Sequence, residues 1–283
     1  MTAALRPRSL EEAVRYLADD PALVPTAGCT DLMVRGPEAL HRMDRVLDLL
    51  GISALRGIRE VDGGIEIGAT TTFTEIGRSP AVRAAFPALT EAAGQIGGWQ
   101  IQNRATLGGN LANASPAGDS LPVLLALDAV VVAAGAGGLR EIPYAGFHTG
   151  YRKTALQPGE IVVRVRLPVP PEGAVQAFRK VGTREAQAIS KVVVAMAARI
   201  AGGRIAELRL AAGSVAPTPV RLRSAEEAVR GMAIGPEAAD LAGREAAREV
   251  APIDDVRSTA EYRRFALERV VRRMVLGMVT LPR

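Results

Sequence analysis

Residues 105–129 read ATLGGNLANASPAGDSLPVLLALDA, and this stretch gives the strongest indication of the fold. It begins with a glycine-bearing loop at 106–110, continues through the small and polar residues of 114–119, and then becomes apolar. The apolar part predicts a helix over 121–127 and a strand over 129–133. Glycine and small polar residues let successive backbone N–H groups converge on phosphate oxygens without an intervening side chain. Ordinary turns have the same composition, so spacing alone leaves both interpretations open.

A second loop of this kind lies upstream, where residues 25–31 read PTAGCTD. Two such loops suit a diphosphate group. The chain contains no Gly-Lys-Ser/Thr sequence, and no Gly-x-Gly-x-x-Gly sequence opens a helix after a first strand. These two observations argue against a nucleoside triphosphatase and against a Rossmann domain.

The segments around the two loops show helix and strand patterns. Ser9 stands three residues before Glu12, a capping-box pair that predicts a helix over 9–18. Asp62-Gly63-Gly64 has the composition of a hairpin turn. The other elements predicted for this half are strands over 45–50, 58–61, 65–69 and 161–167, and a helix over 87–96.

The C-terminal part begins after a proline cluster, Pro168, Pro170 and Pro171, which predicts a domain boundary. Strands are predicted over 191–201 and 204–212, with Gly202-Gly203 as the turn between them. Further capping-box pairs predict the helices that follow; these pairs are Ser224 with Glu227 and Ser258 with Glu261. An antiparallel sheet covered by helices is therefore expected here. The fold class is α+β, with domains at 1–170 and 175–283.

Composition and charge exclude several kinds of partner. The net charge of +5 comes from scattered arginines, and aromatic residues are 4% of the 283 residues, too few for a base-stacking surface. Nucleic acid is therefore not an expected partner. The apolar run 121–134 is shorter than the roughly 18 residues of a membrane span and contains Asp128. The N-terminus lacks the apolar segment of a secretory signal, so we expect a cytoplasmic protein.

Metal-ligating residues are sparse. Cys29 is the single cysteine, so the chain alone can form neither a disulfide nor an iron–sulfur cluster. His41 and His148 stand far apart and have no companion at metal-ligand spacing. Both histidines are expected on the surface or in loops, and no metal site is predicted.

The loop sequences resemble those of one family in order and spacing. TAGCTDLMV at 26–34 resembles the first FAD diphosphate loop of the flavin subunits of molybdenum hydroxylases, the relatives of xanthine dehydrogenase and aerobic carbon monoxide dehydrogenase. The stretch 105–129 resembles their second loop. FHTGYRKTALQPGEIVVRVRLP at 147–168 is similar to the segment that, in xanthine dehydrogenases, passes near the flavin and the nicotinamide site. The family's C-terminal domain is resembled by AFRKVGTREA, GSVAPTPVR and STAEYRRFALERVV.

This resemblance implies an FAD-binding domain of the vanillyl-alcohol-oxidase or PCMH type, built from two subdomains, followed by a C-terminal sheet with helices. The residues it implies around the FAD diphosphate are Pro25, Thr26, Ala27, Gly28, Cys29, Thr30, Asp31, Leu32, Thr106, Gly108, Gly109 and Asn110. Ser115 and Asp119 are implied on the ribose and adenine side. An ionised Asp119 accepts hydrogen bonds only, which suits a sugar hydroxyl. The alternative for Asp119 is a cap on the helix that begins near Leu121.

The resemblance also places residues near the flavin ring. It implies that Ile96 borders the isoalloxazine and that Val162 lies at the ring's edge, although both would otherwise be core residues. Lys180 corresponds to a lysine near the flavin, where its charge could stabilise the reduced form. Arg179 could take that place instead, and Lys180 could be an exposed strand lysine.

Cys29 departs from the pattern, because many members of the family have glycine at this position. A side chain there restricts the backbone angles of the loop. The thiol is either reactive beside the diphosphate or simply a small loop residue.

The implied function is that of the FAD subunit of a molybdenum hydroxylase. The implied partners are a [2Fe–2S] small subunit and a molybdopterin large subunit, assembled as a dimer of heterotrimers. Electrons would pass from the clusters through FAD to an acceptor, and no catalytic residue is predicted in this chain, which shows no acid–base pair at a recognisable spacing. Tyr151 and the surrounding loop resemble those of the xanthine dehydrogenases, and this resemblance implies NAD+ as acceptor and a purine or other N-heteroaromatic substrate. The alternatives are a stand-alone FAD oxidoreductase and a scaffold subunit that has lost FAD.

Overall fold

The computed structural model describes residues 3–34, 36 and 45–278, so His41 lies outside the described part. The strands are β1 (Ala3–Leu5), β2 (Val24–Thr26), β3 (Arg45–Asp48), β4 (Ile58–Val61), β5 (Gly64–Gly68), β6 (Val130–Gly135), β7 (Gly138–Pro143), β8 (His148–Gly150), β9 (Lys153–Thr154), β10 (Ile161–Pro168), β11 (Ala174–Val181), β12 (Val192–Ala201), β13 (Arg204–Gly213) and β14 (Val220–Arg221). The helices are α1 (Leu10–Asp19), α2 (Thr30–Val34), α3 (Phe73–Arg78), α4 (Pro80–Ala85), α5 (Pro87–Gln95), α6 (Trp99–Gln102), α7 (Leu107–Asn113), α8 (Ser120–Ala126), α9 (Arg223–Ala228), α10 (Pro236–Arg248) and α11 (Ala260–Gly277). Among the described helices, none is long and apolar enough to cross a membrane.

The N-terminal subdomain is a parallel sheet with the strand order β1-β3-β2, against which α1 packs. Its small core joins Ala13 and Leu17 of α1 to Leu47 of β3. The Ser9 hydroxyl accepts a hydrogen bond from the N–H of Glu12 at 3.1 Å, as predicted. The second hydrogen bond of a capping box, from the Ser9 N–H to the Glu12 carboxylate, is wrong. The Glu12 carboxylate accepts the Arg8 N–H and the Tyr16 hydroxyl instead.

A second sheet, antiparallel with the order β4-β5-β10-β6-β7, forms the next layer. The predicted hairpin between β4 and β5 is confirmed, and Gly63 takes the left-handed φ of +80° that the turn requires. One core joins this sheet to the helices between β5 and β6; Phe73 of α3, Leu89 of α5 and Leu111 of α7 are fully buried in it.

The C-terminal sheet is antiparallel with the order β11-β12-β13-β14, and the predicted hairpin at Gly202-Gly203 is confirmed. Both faces of β12 are buried. Val193 and Ala195 share a core with α5 and α8, whereas Val194 and Met196 share a core with α9, α10 and α11. A strand buried on both faces needs apolar residues at every position, which explains the uninterrupted apolar run of β12. The predicted α+β class is therefore confirmed.

Two of the predicted capping boxes are wrong. Helix α9 starts at Arg223 with Leu222 in the capping position, so Ser224 lies inside the helix. Helix α11 is capped by Thr259, whose hydroxyl accepts the Tyr262 N–H at 3.2 Å, one residue after the predicted Ser258. Neighbouring hydroxyl residues compete for a cap, and the path of the chain into the helix decides between them.

Candidate functional site

The two glycine loops lie in contact. A Cβ atom on Gly28 would stand 1.9 Å from the carbonyl oxygen of Arg104, the residue that leads into the second loop. No side chain fits at that distance, so the contact between the loops requires glycine at position 28. The loops therefore form a single surface, as a diphosphate site built from both of them demands.

The first loop follows β2 and offers unused backbone donors. Thr26 ends the strand and is buried, with its hydroxyl donating to the Leu47 carbonyl at 3.2 Å. Within the described ranges, the N–H groups of Gly28 and Cys29 make no hydrogen bond. Cys29 has φ +60°, the left-handed region that glycine favours, and its thiol donates weakly to the Ala27 carbonyl at 3.3 Å. The left-handed backbone gives a physical reason for glycine at this position in the family.

The predicted loop at 106–110 is helical from Leu107 onward, so the loop prediction is wrong beyond Thr106, which caps α7. The backbone donors of this segment, for which we keep the name second loop, are already engaged. The Gly108 N–H donates to the Ala69 carbonyl at 2.8 Å, and the Gly109 N–H donates to the hydroxyl of Thr106 at 3.1 Å. A Cβ on Gly108 would stand 2.6 Å from that of Ala69, so this glycine permits close packing of α7 on β5. Asn110 remains as a donor, because its Oδ1 accepts the Ser120 hydroxyl at 2.8 Å and leaves the NH2 end of the amide.

The turn after α7 connects the second loop to Asp119. The Ser115 hydroxyl accepts the Ala117 N–H at 3.3 Å, and the Ser115 carbonyl accepts the Gly118 N–H at 3.0 Å. Ser115 is half-buried and stabilises this turn through its own side chain. The turn directs the chain from Asn110, at the start of α7, to Asp119, at the start of α8.

Asp119 forms a buried ion pair with Lys180 of β11. The Lys180 Nζ lies 2.6 Å from Asp119 Oδ2, and the side chains are 4% and 9% exposed. The same ammonium donates to the Gln95 carbonyl at 2.9 Å, which places the pair directly beside Ile96. Three predicted residues that are distant in sequence, Ile96, Asp119 and Lys180, are thus brought together.

The carboxylate of Asp119 is only half satisfied. Its second oxygen, Oδ1, is buried and has no hydrogen-bond partner in the described part of the chain. Burial raises the pKa of Asp119 to about 6, and the charge of Lys180 opposes this rise. The neighbouring Ser190 hydroxyl also lowers the pKa, but its hydrogen bonds go to the Ala117 carbonyl and the Ser214 hydroxyl. A buried carboxylate oxygen without a donor points to a partner that completes it.

These contacts decide between several predictions. Asp119 precedes α8 but its side chain makes no capping hydrogen bond, so the cap interpretation is wrong. Arg179 is exposed, and the nearly buried Lys180 is the residue that reaches the pair, so the exposed-lysine interpretation is wrong too. Because the two side chains touch, Asp119 and Lys180 cannot lie at opposite ends of an extended FAD. One of the two predicted placements must therefore change.

The remaining apolar candidates are buried. Ile96 and Val162 are 8% and 6% exposed and belong to the same core. Val162 lies beside a register shift of β10, and the next residue, Val163, accepts the Ala69 N–H at 2.9 Å. The Ala69 carbonyl in turn accepts the Gly108 N–H. The residue next to Val162 is thus connected through Ala69 to the second loop. Their burial agrees with a core role as well as with a ring-side role.

The hairpin β8–β9 connects to the first loop and to the end of α7 through Arg152. The guanidinium donates to Asn113 Oδ1 at 2.8 Å, at the end of α7, and lies 3.9 Å from Asp31 Oδ2. Tyr151 at the tip is 63% exposed. His148 is not the surface residue that was predicted: it is half-buried, its Nε2 lies 3.1 Å from the Leu111 carbonyl oxygen, and burial lowers its pKa.

Residues of the C-terminal domain that sequence reasoning did not assign hold the turn ahead of Asp119. The Ser214 N–H donates to the Pro116 carbonyl at 2.8 Å, and the Ser190 hydroxyl donates to the Ala117 carbonyl at 3.3 Å. Ser214 lies within GSVAPTPVR, one of the strings that carried the family resemblance, so the sequence marked the segment without indicating its role.

We call the residues of 26–32, 106–110, 115–119, 95–96 and Lys180 the site cluster. Gly28 contacts Arg104, just ahead of the second loop, and Asn110 accepts a hydrogen bond from Ser120, the residue after Asp119. Lys180 contacts both Asp119 and Gln95. Two cavities elsewhere, of about 160 and 440 Å³, are lined by other residues. Among the described residues, no group of three or more His, Cys, Asp or Glu side chains could hold a metal ion.

Comparisons with known proteins agree with this arrangement. Residues 1–170 match the FAD-binding domain in molybdopterin dehydrogenase, and residues 176–278 match the CO dehydrogenase flavoprotein C-terminal domain. The chain is 33% identical over 272 residues to the xanthine dehydrogenase FAD-binding subunit of Escherichia coli O157:H7, and the aligned region covers 95% of this chain and 93% of that protein. It is 34% identical over 233 residues to the nicotinate dehydrogenase FAD-subunit of Eubacterium barkeri, with 80% and 78% covered.

A solved structure gives the same result in three dimensions. A chain of carbon monoxide dehydrogenase from Hydrogenophaga pseudoflava aligns with a TM-score of 0.92 and 32% identity, covering 96% of this chain and 95% of that chain. The matches extend over both the loops and the C-terminal sheet, and FAD is the cofactor of this part of the enzyme. The chain therefore belongs to the FAD-binding subunits of the molybdenum hydroxylase family, which includes the xanthine, carbon monoxide and nicotinate dehydrogenases.

Proposed function

We propose that FAD lies along the site cluster, with its diphosphate at the first loop and its flavin end at Asp119, Lys180 and Ile96. The direct contact between Asp119 and Lys180 supports one common neighbourhood for these two residues. Asp119 is accordingly assigned to the flavin and ribityl side, and no longer to the adenine. Ser115 keeps its assignment to the ribose and adenine side, and Val162 keeps its assignment to the edge of the flavin ring.

Two unsatisfied groups fit this cofactor. The N–H groups of Gly28 and Cys29, which make no hydrogen bond within the described part of the chain, are successive donors of the kind that bind phosphate oxygens. The orphaned Oδ1 of Asp119 accepts a hydroxyl or ring N–H donor. The N–H groups of Gly108 and Gly109 are already hydrogen-bonded, so they are not donors for the diphosphate. The second loop then contributes packing and the side-chain amide of Asn110.

When bound, FAD accepts electrons singly and releases them as a pair. The chain contributes the environment in which this happens. The Lys180 ammonium is held by Asp119 and the Gln95 carbonyl in a nearly solvent-free position, where a fixed positive charge favours added negative charge nearby. Ile96 and Val162 keep water from the same region, since both are buried. The observation that carries the proposal is the buried Asp119–Lys180 pair, in which one carboxylate oxygen has no hydrogen-bond donor in the described part of the chain.

The partners we propose are a [2Fe–2S] subunit and a molybdopterin subunit, arranged as a dimer of heterotrimers in the cytoplasm. The support is the family membership, and the single cysteine cannot by itself hold an iron–sulfur cluster. We also propose that residues 1–170 and 175–283 are the two domains, with the FAD loops in the first and Lys180 supplied by the second.

We propose NAD+ as acceptor and a purine or other N-heteroaromatic as the substrate of the complex. Tyr151 supports this assignment, because it is exposed at the tip of a hairpin that Arg152 joins to the first loop and to the end of α7. The experiment is anaerobic addition of NADH to the full chain loaded with FAD. Bleaching of the flavin absorbance supports NAD+, and stable absorbance in NADH would overturn this acceptor.

The same preparation separates the alternatives. A stand-alone FAD oxidoreductase is reduced by its own organic substrate without partner subunits, and a scaffold subunit elutes colourless after FAD has been added. The proposed subunit retains FAD and, in the complex, is reduced when the substrate of the molybdenum subunit is added. Retention of FAD without such reduction in the complex would contradict the electron-carrying role.

A further inference from the structure

Arg263 of α11 is a buried charge that the flavin chemistry does not use directly. Its side chain is 4% exposed, yet Nη1 donates to the Lys191 carbonyl at 2.7 Å and to the Ser214 carbonyl at 2.9 Å. Nη2 donates to Asp255 Oδ1 at 2.7 Å. The guanidinium therefore connects the start of β12, the residue after β13, and the loop ahead of α11. A buried arginine persists only with such partners.

The Ser214 carbonyl that Arg263 holds belongs to a residue in an uncommon conformation. Ser214 has φ +64°, in the left-handed region that is strained for an L-residue other than glycine. Such a conformation persists only where its surroundings fix it. Here Arg263 binds the carbonyl oxygen while the N–H of the same residue donates to the Pro116 carbonyl at 2.8 Å.

Ser214 also connects to the next residue of that turn. Its hydroxyl lies 2.9 Å from the hydroxyl of Ser190, which is 1% exposed and donates to the Ala117 carbonyl at 3.3 Å. Two successive carbonyls, of Pro116 and Ala117, are thus held from the C-terminal domain. The turn they belong to ends at Asp119, the residue that pairs with Lys180.

We propose that Arg263 is a positioning residue for the flavin site. It fixes Ser214, and through Ser214 and Ser190 it fixes the Pro116–Asp119 turn, so that the carboxylate of Asp119 faces Lys180 and keeps Oδ1 open. This role rests on the proposed placement of the flavin beside Asp119 and Lys180. It gives the C-terminal helix α11 a function in cofactor binding, although α11 supplies none of the residues of the site cluster.

Arg263→Lys tests the proposal because it keeps a buried positive charge but cannot donate to two carbonyls and a carboxylate in one plane. In the FAD-free chain, hydrogen exchange of the Ser214 amide should accelerate at least tenfold, because Arg263 no longer holds the Ser214 carbonyl. A change of about tenfold corresponds to about 1.4 kcal/mol. The dissociation constant of FAD should rise about tenfold, the lower end of what outer partners contribute at metal sites. The midpoint potential of bound FAD should fall.

The matched control is Arg272→Lys, on the same helix as Arg263, which alters an ion pair with Asp240 of α10. It should leave exchange, FAD affinity and potential unchanged. Ser190→Ala serves as a second variant, because it removes only the hydroxyl that holds Ala117. It should weaken FAD binding in the same direction, and should add little when combined with Arg263→Lys, because both act through one turn.

Lys180→Met separates the two levels of the argument. No effect of Lys180→Met on the potential would overturn the proposed placement of the flavin. A lowered potential with Lys180→Met, together with wild-type exchange and FAD affinity in Arg263→Lys, would overturn the role of Arg263 alone. If Arg263→Lys does not fold, Ser190→Ala decides: wild-type FAD affinity in that variant overturns the inference.

Discussion

The ammonium of Lys180 lies 2.6 Å from the carboxylate of Asp119, and both side chains are more than nine-tenths buried. Lys180 lies on β11 of the C-terminal sheet, whereas Asp119 directly precedes α8. The proposed flavin site therefore takes residues from both halves of the chain.

Removal of Lys180 leaves Asp119 buried without its counter-charge. Lys180→Met should lower the free energy of unfolding of the FAD-free chain by about 3–5 kcal/mol, the cost typical of a broken buried pair. The double variant Asp119→Asn with Lys180→Met should recover much of the loss, because no unpaired charge remains. Urea unfolding measures both values. Arg230→Met, which breaks an exposed pair with Glu227, is the control and should cost less than about 1 kcal/mol. An equal loss in Lys180→Met and Arg230→Met would contradict the buried pair.

The stability of the FAD-free chain should depend on the ionisation of Asp119. Burial raises the pKa of this carboxyl from 3.8 to about 6, so the folded state binds the proton more tightly than the unfolded state does. The resulting stabilisation is complete below 3.8 and is lost as the pH rises through 6. Relative to Asp119→Asn, wild type should therefore lose on the order of 3 kcal/mol across this window and then level off. Unfolding curves measured at several pH values check this, and a difference that is constant with pH would rule it out.

Gly28 should tolerate no side chain. In Gly28→Ala the new Cβ would meet the Arg104 carbonyl at 1.9 Å, and neither backbone can yield without separating the loops. We expect a loss of about 1–3 kcal/mol of stability and a weaker FAD complex. The control is Gly94→Ala in α5, which has open space around it and should stabilise the helix by up to about 1 kcal/mol. Thermal unfolding with and without FAD measures both, and a wild-type response in Gly28→Ala would refute the contact.

The folded chain should be more stable with glycine than with cysteine at position 29. Its φ of +60° strains a residue with a Cβ, so Cys29→Gly should raise the free energy of unfolding by up to about 1 kcal/mol. Cys29→Ala is the matched control, because it removes the thiol and keeps the Cβ. If Ala stabilises as much as Gly, the thiol and not the backbone is the source of strain.

Local features were predictable from the sequence, and distant contacts were not. The hairpins at Gly63 and Gly202-Gly203 follow from turn chemistry within a few residues. The contact of Asp119 with Lys180 spans 61 positions, and only the family resemblance drew attention to either residue. Composition likewise suggested a phosphate role for Gly108, whereas its N–H is bound by Ala69.

The capping predictions failed for a related reason. Thr259 and Ser258 are chemically equivalent caps, and the choice between them depends on Asp255, which accepts the Ser258 N–H at 3.1 Å and forms a bridge with that residue. Ser190, Ser214 and Arg263 carried no recognisable signal of their own. Their roles arise from strand ends that meet only in the folded chain, so sequence reasoning had no period or spacing from which to infer them.

The most direct test of the FAD site is an equilibrium titration of the FAD-free full chain with FAD, followed by quenching of the flavin fluorescence. We predict saturable binding of one FAD by wild type, weaker binding by Gly28→Ala and Lys180→Met, and unchanged binding by Gly94→Ala and Arg230→Met. Equal affinity in wild type and all of these variants would contradict a site formed by the first loop and the Asp119–Lys180 pair.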